Sequence, residues 1–215
     1  MIALPESVRT GAIEPHWHLG IAGRSGYKQT PLKPAGMQAT MRRLDEKYEL
    51  YPRITVWDCE EWRYSPKKQA MSMVRQGVTH AILIGYSWGF GYGVRKLAYE
   101  LVKRGVRVEL LLDCDGVMRN GKLPTFWPCN YLSGRSLMPW AGSIVLPESC
   151  DNVQGYRQEN DKPAGFPYRV GKKGDKTELP VLRSEIHTSI DECQPWNKLV
   201  DQKVHHIAKP FMALT

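Results

Sequence analysis

The pentapeptide G-Y-S-W-G at residues 85–89 is the strongest chemical motif in the chain. It follows an apolar run, H-A-I-L-I-G (80–85), and precedes a segment whose apolar residues recur at helical spacing. Small flanking residues in that context permit a sharp strand-to-helix turn that presents the central serine as a nucleophile. Ser87 is therefore the candidate nucleophile, at the positive end of the helix that follows. A serine hydroxyl is weak until a base takes its proton. His187, in I-H-T-S-I-D (186–191), directly follows an expected last strand over 181–186 and is the candidate base. The acid that orients the imidazole is expected at the end of the strand after the Ser87 helix, where Asp113 and Asp115 both lie. Asp113 is nearer the strand end and is preferred, with Asp115 as the alternative. The oxyanion of an acyl-transfer intermediate needs backbone donors. The N–H of Trp88 is one, and that of Arg24 (or Gly23), in the turn A-G-R-S-G (22–26), is the other.

The remaining reactive side chains read more simply as structure. His80 opens a buried strand, His16 and His18 share one strand face, and His205 and His206 sit on a closing helix. A metal pair at His16 and His18 is conceivable, but a structural pair is the better reading. The cysteines are Cys59, Cys114, Cys129, Cys150 and Cys193, with no C-x-x-C pair. Their odd number suits free thiols in a reducing compartment, and a Cys150–Cys193 disulfide would be expected only after export. No zinc spacing occurs. No metal and no organic cofactor is expected.

The elements that must position these groups alternate along the chain. Residues 17–23, 53–58, 80–85 and 106–112 read as strands, and residues 36–49 and 66–76 as helices. Ser65 and Pro66 suit the start of the second helix, and Gly77 its end. Val94, Leu97, Ala98, Leu101 and Val102 share one face of a third helix, with Arg95, Lys96, Lys103 and Arg104 opposite. This alternation predicts an α/β fold, a three-layer sandwich with a mostly parallel central sheet. After Asp115 the pattern breaks. Residues 116–142 form an irregular, cap-like excursion in which Phe126, Trp127, Leu137, Met138 and Trp140 either line an apolar acyl site or cover the sheet. Residues 143–147 and 181–186 are expected as strands, 160–180 as loop or hairpin, and 195–209 as a closing helix.

With the order Ser87, acid, His187, the sequence resembles the α/β-hydrolase superfamily over most of residues 17–207. The elbow G-Y-S-W-G, the basic amphipathic helix and V-E-L-L-L-D (108–113) are similar to compact thioesterase-like and lipase-like members. The segments G-Y-R-Q-E-N-D (155–161) and H-T-S-I-D (187–191) are similar to those of small bacterial hydrolases of this type. The resemblance implies a minimal α/β-hydrolase fold as a single domain over 1–215. It also implies a serine hydrolase that cleaves an ester or thioester through an acyl-enzyme on Ser87. The first strand ends in Ala22-Gly23, where many lipases and esterases carry His-Gly, so the oxyanion assignment departs from the pattern. A cutinase-like or phage-type esterase would place the acid later, at Asp151 or Asp161. A non-catalytic binding protein on the same fold and an acyltransferase with the same triad are the other readings.

Composition narrows the field. The chain has 215 residues, 42% hydrophobic and 24% charged, as an ordinary globular protein does. Its net charge of +8 is spread thinly, with the largest excess in residues 65–120, partly on the solvated outer face of the helix after Ser87. No nucleic-acid partner is expected. No stretch reaches the length of a membrane span, and no signal peptide is visible near Met1, so a cytoplasmic location is expected. The expected partner is a small-molecule or acyl-chain ester or thioester. Nothing in the sequence sets the oligomeric state.

Overall fold

All seven residues of H-A-I-L-I-G-Y are buried, and the central sheet forms around them. In the computed structural model the described residues are 16–26, 35–117, 143–161 and 164–213. The first half alternates β1 (Leu19–Ser25), α1 (Gly36–Tyr48), β2 (Ile54–Glu61), α2 (Pro66–Arg75) and β3 (His80–Tyr86). A π-helical segment (Gly89–Val94) then runs directly into α3 (Arg95–Val102), followed by β4 (Arg107–Cys114). The second half supplies β5 (Ile144–Leu146), β6 (Val153–Tyr156), β7 (Tyr168–Val170) and α4 (Gln194–Met212).

Five strands pair in the order β2-β1-β3-β4-β6, every pair parallel. This is an α/β fold with a parallel central sheet. Alternating side chains feed two cores. Leu19, Ile21, Ile82, Ile84, Leu110 and Leu112 pack with α1 and α4 on one face. Ala81, Leu83 and Leu111 pack with α2 and α3 on the other. The chain steps outward from β1 to β2, then back across β1 to β3. Right-handed crossovers put successive helices on opposite faces when the direction reverses. That reversal leaves a crevice beyond the carboxyl ends of β1 and β3, where ligands of open parallel sheets bind.

Local chemistry sets the helix ends. Ser65 accepts a hydrogen bond from the Lys68 N–H (3.3 Å) at the start of α2, with Pro66 in the first turn. Ala35 offers α1 no side-chain cap; the carboxylate of distant Asp191 accepts from the Met37 N–H instead (3.1 Å). Trp196, Val200, Val204, Ala208 and Phe211 form the buried stripe of α4.

One expectation is corrected. Residues 181–186 are not a strand; a single parallel bridge joins Val181 to Arg157. The strand expected at 143–147 exists as β5, but it pairs with β7 in a separate two-stranded sheet. The fifth strand of the central sheet is β6, which the sequence reading left unassigned. Apart from Gly116 and Val117, the excursion at 116–142 lies outside the described residues, as do Phe126, Trp127, Leu137, Met138 and Trp140. Cys150 and Cys193 are not disulfide-bonded, so no Cys150–Cys193 bridge forms. Among the described residues, no helix is long and apolar enough to cross a membrane.

Candidate active site

β3 ends at Tyr86, and the chain turns at Ser87 with φ +56. A non-glycine residue in this left-handed region costs about 1–3 kcal/mol and persists only where its surroundings enforce it. Here the enforcement is hydrogen bonding and close packing. The Ser87 N–H donates to the Cys114 carbonyl (3.1 Å), and the Ser87 carbonyl accepts from the N–H groups of Phe90, Gly91 and Val117. A methyl group at Gly85 would lie 2.7 Å from the Phe90 Cα, and one at Gly89 would lie 2.3 Å from the Arg24 carbonyl oxygen. The two flanking glycines thus let the helical segment lie directly against the ends of β3 and β1.

The turn brings together residues from distant parts of the chain. Ser87 Oγ lies 2.9 Å from His187 Nε2, and His187 Nδ1 lies 2.5 Å from Asp115 Oδ2. Ser87, His187 and Asp115 are all buried. Asp115 Oδ1 accepts from the Gln158 backbone N–H, and Oδ2 accepts from the Gln158 side-chain amide, each at 3.0 Å. The carboxylate is therefore ringed by donors.

Since no strand leads into His187, other contacts hold it. Its backbone N–H donates to Asp161 Oδ1 (2.7 Å), and its carbonyl accepts from the Tyr86 hydroxyl (2.6 Å). The Tyr86 and His187 rings stack with centroids 5.1 Å apart. Gln158 Oε1 in turn accepts from the Asp161 N–H (3.0 Å), linking the supports of acid and base. Sequence reasoning gave no role to Tyr86 or Gln158. Their only signal was proximity to the elbow and a place in the 155–161 segment.

Asp113 does not reach the histidine. Parallel pairing sets Asp113 level with Gly85 on one side and Gly155 on the other. Ser87 stands two residues beyond Gly85, a rise of about 6.6 Å along a parallel strand. Asp115 is the residue at the matching height, and its φ of +52 turns it off the end of β4. Asp113 Oδ1 accepts from the Gly116 N–H (2.7 Å), while its buried Oδ2 has no hydrogen-bond partner among the described residues. Burial, reinforced by the charge of Asp115, pushes its carboxyl well above the usual range against the Gly116 hydrogen bond. A carboxyl held towards its neutral form is poorly suited to stabilising an imidazolium.

The late-acid alternatives fall elsewhere. Asp161 meets the backbone of His187 rather than its ring, and exposed Asp151 precedes β6 at the amino end of the sheet. Arg24 is also placed differently from expectation. It lies inside β1, registered between Glu60 and Gly85, and its side chain is fully buried. The backbone that comes over the nucleophile is that of Gly26, where an added methyl would lie 2.9 Å from Ser87 Oγ and 3.1 Å from the Trp88 nitrogen.

The other histidines lie away from this edge. His18 Nε2 is 2.8 Å from Thr55 Oγ1, His80 Nε2 is 3.7 Å from Glu109, and His205 and His206 are exposed on α4. Among the described residues, no group of three His, Cys, Asp or Glu side chains is arranged to hold a metal. No protein-family model matches the chain, and neither a curated protein nor a solved structure matches it.

Proposed function

We propose that the protein is a serine hydrolase of α/β-hydrolase type, cleaving an ester or thioester through an acyl-enzyme on Ser87. One observation carries this reading. Ser87, strained at φ +56 on a strand-to-helix turn, has its Oγ 2.9 Å from an imidazole whose other nitrogen is 2.5 Å from a buried carboxylate. In the proposed reaction, Ser87 Oγ attacks the carbonyl carbon while His187 Nε2 takes its proton. Asp115 holds Nδ1–H, fixing the tautomer and stabilising the imidazolium. The Trp88 N–H at the start of the helical segment is a donor for the oxyanion, and the Gly26 backbone borders the same space. His187 then gives the proton to the departing alcohol or thiol. Water, deprotonated by His187, attacks the acyl-enzyme, and the carboxylic acid leaves with Ser87 restored.

The position of Asp115 at the end of the strand after the nucleophile helix supports the thioesterase-like version over one with a late acid. The test is labelling with a fluorophosphonate probe, together with turnover of p-nitrophenyl esters of several chain lengths. Wild-type protein is expected to label at Ser87 and turn over at least one ester, and Ser87→Ala to do neither. Folded wild-type protein that neither labels nor turns over would support the non-catalytic reading instead.

A further inference from the structure

Three aromatic rings from two segments of the chain meet at Trp88, the residue that follows Ser87. Trp62 follows β2, Trp88 follows the nucleophile, and Tyr92 lies in the π-helical segment. The Trp88 and Tyr92 rings are nearly parallel, 12° apart with centroids at 5.5 Å. Trp62 is tilted against both, by 47° and 50°, at 5.4 and 5.6 Å. The three residues are half-buried. Two exposed cations flank this corner: the Arg63 guanidinium 5.0 Å from the Trp62 centroid, and the Lys96 ammonium 5.5 Å from that of Tyr92.

The corner is built on a buried charge. Arg24 Nη1 donates to the carbonyls of Glu61 (3.1 Å) and Tyr64 (2.9 Å), and Nη2 donates to Gln69 Oε1. The Ser25 carbonyl accepts from the Trp62 N–H (2.9 Å). The loop bearing Trp62 is therefore tied to the end of β1 at several points. Burying a guanidinium is costly, and burial lowers the Arg24 pKa to about 10. A loop fixed in this way holds its rings in place before any ligand arrives.

We propose that this corner is the substrate-recognition site and that the substrate is an ester bearing a negatively charged, planar aromatic group. The inference rests on the reading of Ser87 as the nucleophile. A planar ring gains stacking energy on aromatic faces that an alkyl chain does not. Lys96 supplies complementary charge at the rim, and so does Arg63, whose loose, solvent-exposed pair with Glu61 (3.7 Å) holds it only weakly.

The test uses Ser87→Ala protein, which binds without turnover, titrated calorimetrically with three probes: monomethyl terephthalate, methyl benzoate and methyl hexanoate. The expected order is charged ring, neutral ring, then alkyl ester. Adding Trp62→Ala should weaken both aromatic probes by roughly tenfold, while Trp62→Phe retains most of the affinity. Arg63→Gln with Lys96→Gln should abolish the preference for monomethyl terephthalate over methyl benzoate. Methyl hexanoate binding as tightly as the aromatic probes would overturn the proposal. So would unchanged affinities in folded Trp62→Ala, or an unchanged charge preference in the double variant. If Trp62→Ala does not fold, the probe order and the double variant, whose two side chains are exposed, decide. Fluorophosphonate labelling of wild type separates the two readings. Labelling without an aromatic preference removes the corner alone, and the preference without labelling removes the hydrolase.

Discussion

Exchanging the two neighbouring carboxylates separately tests the assignment of the acid. In Asp115→Asn one carboxylate oxygen becomes an NH2 donor, and every position around it already faces a donor. At the Oδ2 position the NH2 would meet His187 Nδ1 and the Gln158 amide. To accept from it, the imidazole must place its proton on Nε2, and it can then no longer take one from Ser87. At the Oδ1 position the NH2 would face the Gln158 backbone N–H, leaving buried donors opposed at a cost of about 1–3 kcal/mol. Each orientation opposes one Gln158 donor, so the first, in which the NH2 donates to Nδ1, is populated, and it is the inactive one. Loss of the correct tautomer in such a triad lowers kcat by roughly 10⁴, about 5 kcal/mol of transition-state stabilisation. Asp113→Asn changes a carboxyl whose one hydrogen bond among the described residues is from the Gly116 N–H, so its kcat should stay within about threefold of wild type. The assay is kcat/KM on the best p-nitrophenyl ester, with the rate of fluorophosphonate labelling as a second readout. An Asp113→Asn defect as large as that of Asp115→Asn, in folded protein, would refute the register argument. So would an Asp115→Asn protein within tenfold of wild type.

Three further outcomes are expected. Gly89→Ala drives a methyl to 2.3 Å from the Arg24 carbonyl, a backbone atom that cannot swing aside. It should cost about 1–3 kcal/mol, seen as a fall in Tm of several degrees together with lost labelling; an unchanged Tm would contradict the close packing. Tyr86→Phe keeps the stacked ring but removes the hydrogen bond to the His187 carbonyl, so kcat should fall by up to about tenfold with KM unchanged. Asp113 also sets a pH dependence of stability. Its folded-state pKa is raised above the unfolded value of 3.8, so the folded protein keeps a proton that the unfolded chain loses. Its contribution is complete below pH 3.8 and declines as pH rises towards the folded pKa, by at most about 1.4 kcal/mol per pH unit. Asp113→Asn should remove that decline, so the difference in stability between variant and wild type should grow with pH above 4. A constant difference across pH in chemical denaturation would contradict the raised pKa.

The parts of this site that could be read from the sequence are those fixed by local burial. H-A-I-L-I-G and V-R-V-E-L-L-L announce strands because a parallel strand covered on both faces is apolar almost throughout. The elbow between strand and helix follows from Gly85 and Gly89, and from it Ser87. His187 was also found, but through an expectation of a strand that does not exist. In V-L-R-S-E-I the carbonyls of Arg183 and Glu185 accept from the Asn160 side-chain amide (2.6 and 2.7 Å), so side-chain bonds stand where a ladder was expected. A tertiary contact of that kind leaves no periodic trace. β6 was unreadable for a related reason. V-Q-G-Y is short and carries a glycine, which a strand normally disfavours. Here a methyl at Gly155 would lie 1.8 Å from the Asp113 carbonyl, so glycine is what lets β6 pair at all.

The choice between Asp113 and Asp115 shows where local reading ends. Both are buried, both lie at the end of one strand, and they differ by a single step of the pleat. Distance along the chain favours Asp113. Height above the sheet decides for Asp115, and height depends on the register of β4 against β3, which pairs Asp113 with Gly85 and Cys114 with Tyr86. Once that register is known, the acid must come from the residue beyond Cys114, because the nucleophile comes from the residue beyond Tyr86. The left-handed φ values at Ser87 and Asp115 then have one explanation: at both strand ends the chain turns out of the sheet, at the same level, to meet His187 between them.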